Sequence, residues 1–153
     1  MNAMMTRRSE VKTTAAYMID ENIILQAMSL TDSGLWIAHG DVLSIRSDDR
    51  SGLVSGIKNS LAQSTVDIAH PPQSEWKHLQ RPLLQAAGVR TWTALGKQAK
   101  AVSIEYADGK VAFIPAINFR EHGGHASDEQ TIHCRLDDDD LSARLIEAFQ
   151  YAS

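Results

Sequence analysis

Cysteine, long apolar runs and excess basic charge are all scarce in this sequence of 153 residues. The one cysteine, Cys134, excludes an intramolecular disulfide and suits a reducing cytoplasm. No stretch approaches the ~20 consecutive apolar residues of a transmembrane helix, so we expect no membrane contact. The formal net charge of −4 disfavours a broad basic face, and therefore direct nucleic-acid binding, but it permits a basic partner.

Motifs that signal a particular chemistry are missing as well. The sequence has no glycine-rich phosphate loop, no Ser-His-Asp pattern and no HExxH motif. Residues 1–9 carry two arginines without an apolar segment after them, which predicts a flexible N-terminus and no export signal. On these grounds we expect no enzymatic activity and no cofactor.

The composition is that of a globular protein, with 43% hydrophobic and 22% charged residues. The length suits one domain, because a chain of this size has too few residues for a second independent core. The pattern of elements predicts a single α+β domain over residues 10–153. Its sheet is expected to be mainly antiparallel, with helices packed on it.

The strongest local signal is the segment KAVSIEYADGKVAFIPAINF, residues 100–119. Apolar and polar residues alternate on both sides of Asp108 and Gly109, and this dipeptide tolerates the positive φ angles of a tight turn. The segment therefore predicts a β-hairpin. Pro115 has no amide donor, so we expect it at the end of the second strand or at a bulge there.

Other segments rich in β-branched and apolar residues predict further strands. Most of the first third of the chain is expected to be sheet, with Gly40 separating two short strands. The predicted strands outside the hairpin are 11–19, 22–30, 35–38, 41–46, 65–69 and 130–136.

Two helices are predicted from apolar residues that recur every four positions. The first spans about 52–63 and is capped by Asp48 or Ser51, and the last is opened by Asp139 or Asp140. Each follows a strand, which indicates either a weak internal β-β-α duplication or two uses of one capping device.

Two shorter helices are predicted between these, one opened by Pro82 and ended by Gly88, the other capped by Thr91. On the last helix, Leu145 and Phe149 are expected to pack against the hairpin. The core candidates before the hairpin are Trp76, Leu83, Leu84, Trp92 and Leu95.

The histidines in the last third of the sequence give only weak support for a metal site. A zinc site would combine His122, His125, His133 and Cys134, but His133 and Cys134 point to opposite faces of a strand. Solvent-exposed loop histidines and a buried, inert thiol are the simpler interpretation. The run Asp137–Asp140 would suit a divalent cation only if its carboxylates converged, and consecutive carboxylates in a helix cap diverge. We therefore predict no metal site.

A family resemblance adds a function. The helix SGLVSGIKNSLAQS, the segment LLQAAGVRTWTALGKQAKAVSIEY, the strand end IPAINF, a Gly-Gly loop and the closing DDLSARLIEAFQYAS follow one another in the chain. Together they resemble the immunity proteins of contact-dependent growth inhibition systems. The resemblance implies a cytoplasmic protein that binds the C-terminal domain of a toxin delivered by neighbouring bacteria, in many cases a nuclease. It carries over no catalytic residue.

An acidic segment is the candidate surface for such a partner, because the substrate cleft of a nuclease is basic. Between positions 121 and 140 Arg135 is the single basic residue. The interpretation that competes with toxin binding is that the aspartates only cap a helix and solubilise the surface. The candidate toxin-binding residues are Glu121, Asp128, Glu129, Asp137, Asp138, Asp139 and Asp140.

The alternative function is a small-molecule enzyme or sensor built on the same α+β scaffold. Such a protein needs a concave pocket with convergent polar groups, whereas an inhibitor of a toxin needs only a complementary surface. The absence of reactive motifs favours the inhibitor. An adjacent reading frame that encodes the end of a very long secreted protein would support it further.

Overall fold

The computed structural model describes residues 11–153, so the predicted flexible segment 1–9 lies outside the described residues. Across the described range the strands form one antiparallel sheet in the order β3-β2-β1-β4-β5-β6, and β7 also pairs with β5. The predicted α+β fold is confirmed. The strands are β1 (Lys12–Ile19), β2 (Asn22–Leu30), β3 (Trp36–Arg46), β4 (Lys100–Ala107), β5 (Lys110–Ile117), β6 (His125–Ala126) and β7 (Ile132–Arg135).

Helices cover both faces of this sheet. The helices are α1 (Arg50–Gln63), α2 (Trp76–Ala87), α3 (Trp92–Gln98) and α4 (Leu141–Tyr151), and a 3₁₀ turn, Gln73–Glu75, precedes α2. Helices α1 and α4 bury their apolar sides in the larger core, on one face. Helices α2 and α3 contribute Leu83 and Leu95 to a smaller core on the other face.

The predicted hairpin of residues 100–119 is confirmed, and the predicted strands 11–19 and 22–30 form another. Strands β1 and β2 pair from Thr13 opposite Met28 to Ile19 opposite Asn22. In the second hairpin, Asp108 and Gly109 have φ angles of 52° and 78°, as its tight turn requires. Pro115 lies inside β5, opposite Val102, and the strand continues for two residues beyond it.

The strand predictions fail in two places. Strand β3 is one element from Trp36 to Arg46, and Gly40 bends it without ending it. Residues 65–69 form no strand: Thr31 and Ile68 make one isolated parallel bridge, and Thr65 makes two further hydrogen bonds, to Ser29 and Leu30 of β2.

The helix that was expected to open at Pro82 begins six residues earlier, at Trp76. Proline has no amide hydrogen, and Pro82 is tolerated inside α2 on its solvent-exposed side. The helix ends at Gly88, in the left-handed conformation, as predicted. The core assignment holds for Leu83 and Leu95 and is wrong for two tryptophans, Trp76 and Trp92, which are 41% and 42% exposed.

The cap of α1 differs from expectation, whereas α4 begins directly after Asp140, one of its two predicted positions. Asp49 caps α1, since its Oδ1 accepts a hydrogen bond from the Gly52 amide at 3.0 Å; Asp48 and Ser51 were the wrong candidates. Asp140 holds the cap position of α4 but makes no capping side-chain bond. Instead Asp138 Oδ1 accepts from the Asp140 amide at 2.7 Å. Both predicted strand-then-helix units are therefore present, but the helices in them are capped in different ways.

Helix α4 packs on the hairpin as predicted. Leu145 and Phe149 are 0% and 2% exposed, and they lie in one core cluster with Ile104 and Phe113 of the hairpin. This helix therefore closes the larger core over the centre of the sheet.

Phe149→Ala should lower the free energy of unfolding by about 3 to 5 kcal/mol, because it leaves a cavity in a packed core. Tyr151→Ala is the matched control, since Tyr151 lies on the same helix and is 45% exposed; its cost should stay within about 0.5 kcal/mol. Urea denaturation followed by circular dichroism measures both. A change below about 1 kcal/mol for Phe149→Ala would contradict this packing.

Candidate functional site

A cavity of about 310 Å³ opens between α2 and the β2–β3 side of the sheet. All three tryptophans of the sequence line it, and its remaining walls are mostly apolar. This volume is at the lower end of the ~300–1,000 Å³ typical of ligand pockets. Its lining residues include Tyr17, Gln26, Trp36, Trp76, Leu83 and Trp92.

The path of β3 forms one wall of the cavity. The β2–β3 register shifts between Gln26 and Met28, and opposite this irregularity Gly40 adopts a φ of 137°. Residues with a side chain rarely adopt a φ of this size, and a Cβ atom at position 40 would also displace the Gln63 side chain, whose Oε1 would lie 2.6 Å away. Gln63 also accepts from the Asp41 amide at 2.8 Å, which ties this bend to the end of α1.

Ring contacts and one hydrogen bond hold the aromatic walls in place. The Trp92 ring meets Tyr17 edge to face at a centroid distance of 6.1 Å, and Tyr17 lies 5.8 Å from Phe119. Trp76 donates its Nε1 hydrogen to the Pro71 carbonyl at 3.2 Å. The walls are thus supported by neighbouring residues while the cavity itself stays open.

The mouth of the cavity exposes an unusual amount of apolar surface. Leu35, Trp76 and Trp92 are each 41–42% exposed. They are three of the four large hydrophobic residues that are exposed in residues 11–153; the fourth, Tyr151, lies on α4. Clustered apolar exposure of this kind marks an interaction site on a folded protein.

One polar group in the cavity wall lacks a partner. Gln26 is 4% exposed, and its Nε2 donates to the Gly40 carbonyl at 3.1 Å. Only the amide nitrogen can donate, so this bond fixes which end of the amide is oxygen. Its Oε1 is the single buried side-chain polar atom without a hydrogen-bond partner in the described part of the chain. Gln26 therefore has an unused capacity to accept a hydrogen bond.

The cavity is electrically neutral. Tyr17 is the one ionisable side chain among the described residues that line it. Burial raises the pKa of Tyr17 to about 12, so its phenol stays protonated at physiological pH. A charged ligand would therefore meet no countercharge inside.

The predicted acidic residues lie elsewhere and extend along β5. Arg135 pairs with Lys110 at one end of β5 and His125 pairs with Ile117 at the other. Asp137 to Asp140 therefore lie near the hairpin turn, and Glu121 lies near the opposite end, roughly 20 Å away at ~3.3 Å per residue. The Ser127 amide bonds to Pro115, which places Asp128 and Glu129 between them.

Two of these carboxylates are engaged within the chain. Asp137 pairs with Arg135 at 3.2 Å, and Asp138 pairs with Arg144 at 3.7 Å. The other five are exposed. Strand β4 lies between β5 and the strands that line the cavity, so the acidic residues and the aromatic cavity lie towards opposite edges of the sheet.

The histidine and cysteine positions are dispersed. His133 is exposed on β7, whereas Cys134 packs against the larger core on the opposite face. Over residues 11–153 no three side chains of His, Cys, Asp or Glu lie together as metal ligands. Burial, followed by the nearby Asp138 carboxylate, raises the pKa of the Cys134 thiol, which makes it a poor nucleophile at neutral pH.

The cavity was not expected from the sequence, in which Trp76 and Trp92 were core candidates and Trp36 and Gln26 had no assigned role. One signal was present in the sequence. A glutamine stands between Leu25 and Ala27 in a segment otherwise expected to be buried, and buried amides usually have a specific role.

Comparisons with known proteins identify the fold. No protein-family model matches the chain, and no curated protein matches it significantly. A protein of unknown function from Neisseria meningitidis has the same fold, with a TM-score of 0.76 and 17% identity over 95% of this chain and 97% of that one. A chain of the CdiA-CT/CdiI toxin and immunity complex from Yersinia pseudotuberculosis matches with a TM-score of 0.73 and 15% identity, covering 94% and 98%.

Hydropathy adds one further finding. Among the helices within residues 11–153, none combines the length and the apolar character needed to cross a membrane.

The raised pKa of Tyr17 predicts how stability depends on alkaline pH. Between about pH 10 and 12 the unfolded chain releases the phenol proton while the folded chain keeps it, so rising pH favours unfolding. The free energy of unfolding should fall by roughly 1.4 kcal/mol per pH unit in this window relative to Tyr17→Phe. Urea denaturation of both proteins at pH 9 to 11.5 measures the difference. Parallel profiles would contradict the burial of the hydroxyl.

Proposed function

We propose that this protein is a cytoplasmic immunity protein of a contact-dependent growth inhibition system. It binds the C-terminal domain of its cognate toxin and neutralises it. The observation that carries the proposal is the fold shared with a chain of a toxin and immunity complex over almost the whole length of both chains. The order of sequence segments that resembles these immunity proteins supports it independently.

An inhibitor of this kind acts through a surface, and two surfaces of the chain are suitable. The first is the aromatic mouth formed by Leu35, Trp76 and Trp92, since exposed tryptophans supply much of the energy of protein interfaces. The second is the acidic strip along β5 and β7, which suits the basic cleft of a nuclease toxin. We assign the strip to attraction of the toxin and the mouth to holding it.

Co-expression tests the function. The toxin domain is taken from the adjacent reading frame that encodes the end of a long secreted protein, and it is induced in bacteria with and without this chain. We expect the chain to restore growth and to co-purify with the toxin domain as a 1:1 complex. Growth arrest by this chain alone would contradict the proposal, because it would make the chain the toxic partner.

The acidic strip has its own readout in the same system. Asp128, Glu129 and Asp139 are exposed and make no ion pair in residues 11–153, so their amides should leave the fold intact. Replacing all three should slow association with the toxin domain and flatten its salt dependence in surface plasmon resonance. Lys58→Gln and Lys97→Gln are control charge changes on the two helical layers. An unchanged association rate would remove the strip from the interface.

A small-molecule sensor is the second candidate function, because the cavity is concave and has a mostly apolar lining, as such a protein needs. A sensor would bind its ligand without any toxin domain and would give no protection in the co-expression assay. The co-expression assay therefore distinguishes the two functions.

A further inference from the structure

We propose that Ser153 fastens a strap which keeps the aromatic cavity separate from a second cavity on the same face of the sheet. The strap is the segment 118–124, which connects β5 to β6. Its Phe119 ring braces Tyr17, and Tyr17 is the wall that the two cavities share. Release of the strap would leave this wall unsupported on one side and open one cavity into the other.

The second cavity has a volume of about 200 Å³ and lies over β1, β4 and β5. Small side chains line most of it, and Phe119, Gly123 and Gly124 of the strap close one side. The aromatic cavity lies over β1, β2 and β3. Strand β1 is therefore common to both, and in the described part of the chain Tyr17 is the one residue that lines both cavities.

Two aromatic rings hold Tyr17 in this position. Trp92 meets it edge to face at a centroid distance of 6.1 Å, and Phe119 lies 5.8 Å away. Trp92 is 42% exposed, whereas Phe119 is only 7% exposed. The strap thus supplies the buried contact of the two, so the position of the shared wall depends on where the strap holds Phe119.

Three hydrogen bonds fasten the start of the strap to a residue just beyond α4. Ser153 donates its amide hydrogen to the Ala116 carbonyl at 3.0 Å, and its own carbonyl accepts from the Phe119 amide at 2.8 Å. The Ser153 Oγ accepts from the Asn118 amide at 3.0 Å. Asn118 has a φ of 57°, an uncommon conformation for a residue with a side chain, so bonds on both sides of it hold the turn in place.

The rest of the strap is closed on itself. The Gly123 amide donates to the Phe119 carbonyl at 3.0 Å, and the Glu121 amide donates to the Asn118 carbonyl at 2.9 Å. The Gly124 amide in turn donates to the Glu121 carbonyl at 3.0 Å. A segment bonded in this way moves as one unit, so the bonds from Ser153 at its start set the position of the Phe119 ring.

The ionisation of Tyr17 reports whether the strap is fastened. Burial raises the pKa of Tyr17 to about 12, and water that reaches the phenol after release should lower it. The sequence has three tyrosines, so ¹³C NMR of their Cζ carbons follows each phenol separately, and Tyr17→Phe assigns the signal. The measurement needs neither a toxin nor a ligand, so its outcome is independent of the proposed function.

Ser153→Pro removes two of the three fastening bonds, because proline has neither an amide hydrogen nor a hydroxyl group. Ala152 is already extended, with a ψ of 149°, as a residue before proline prefers. We expect the pKa of Tyr17 to fall by at least about one unit in this variant. Ser153→Ala removes only the bond to the Asn118 amide, and the pKa should fall by less.

Phe119→Leu tests the brace itself, because it keeps the backbone bonds to Ser153 and an apolar side chain but removes the ring. The pKa of Tyr17 should fall as it does in Ser153→Pro, and the indole N–H signal of Trp92 should shift in both variants because its ring meets Tyr17. Thr131→Val is the matched control.

Thr131 lies in the loop between β6 and β7, where its hydroxyl donates to the Ser127 carbonyl at 2.9 Å. Its replacement by valine removes one loop hydrogen bond outside the strap, and it should change neither the pKa of Tyr17 nor the Trp92 signal.

Circular dichroism and urea denaturation show which variants keep the fold, and Ser153→Ala and Phe119→Leu decide the question if Ser153→Pro does not fold. An unchanged pKa of Tyr17 in Phe119→Leu would remove the brace. A lower pKa in Phe119→Leu with no change in either Ser153 variant would remove the fastening. An equal fall of the pKa in Thr131→Val would show general loosening of the loops and would overturn the proposal as well.

Discussion

The aromatic cavity depends on the backbone path at Gly40. Glycine is favoured there because a φ of 137° is a backbone conformation that residues with a side chain rarely adopt. The same position bends β3 and supplies the carbonyl that holds the Gln26 amide. One local constraint therefore sets the direction of the wall that carries Trp36, fixes the orientation of the polar group and connects both to the helix on the other face of the sheet.

The two faces of the sheet serve different purposes. On one face α1 and α4 bury a continuous core that includes Ile57, Phe113 and Phe149, and this core supplies most of the apolar burial. On the other face α2 and α3 cover the β1–β3 side incompletely, and the smaller core around Leu83 and Leu95 borders an open cavity. Because the larger core lies on the face opposite the cavity, the stability of the fold does not depend on filling the cavity. The cavity can therefore stay open in the folded protein.

The turns and helix ends that depend on a few neighbouring residues were predicted correctly from the sequence. The turn at Asp108 and Gly109, the left-handed Gly88 and the cap at Thr91 depend on neighbouring residues, and all three were correct. The start of α2 at Trp76 was missed, because a proline at position 82 suggested a first turn and the apolar face of this helix is defined by packing on β2 and β3. The cavity was missed for the same reason. It joins residues from Tyr17 to Trp92, and no local pattern records which of them meet.

Hydrogen–deuterium exchange of the protein with and without its toxin domain tests the central claim most directly, namely that the partner binds at the aromatic cavity. We expect the toxin to slow amide exchange in the first half of β3, from Trp36 to Gly40, and along α2, while residues 141–151 of α4 exchange at the same rate in both samples. Protection confined to residues 121–140, with β3 and α2 unchanged, would contradict it.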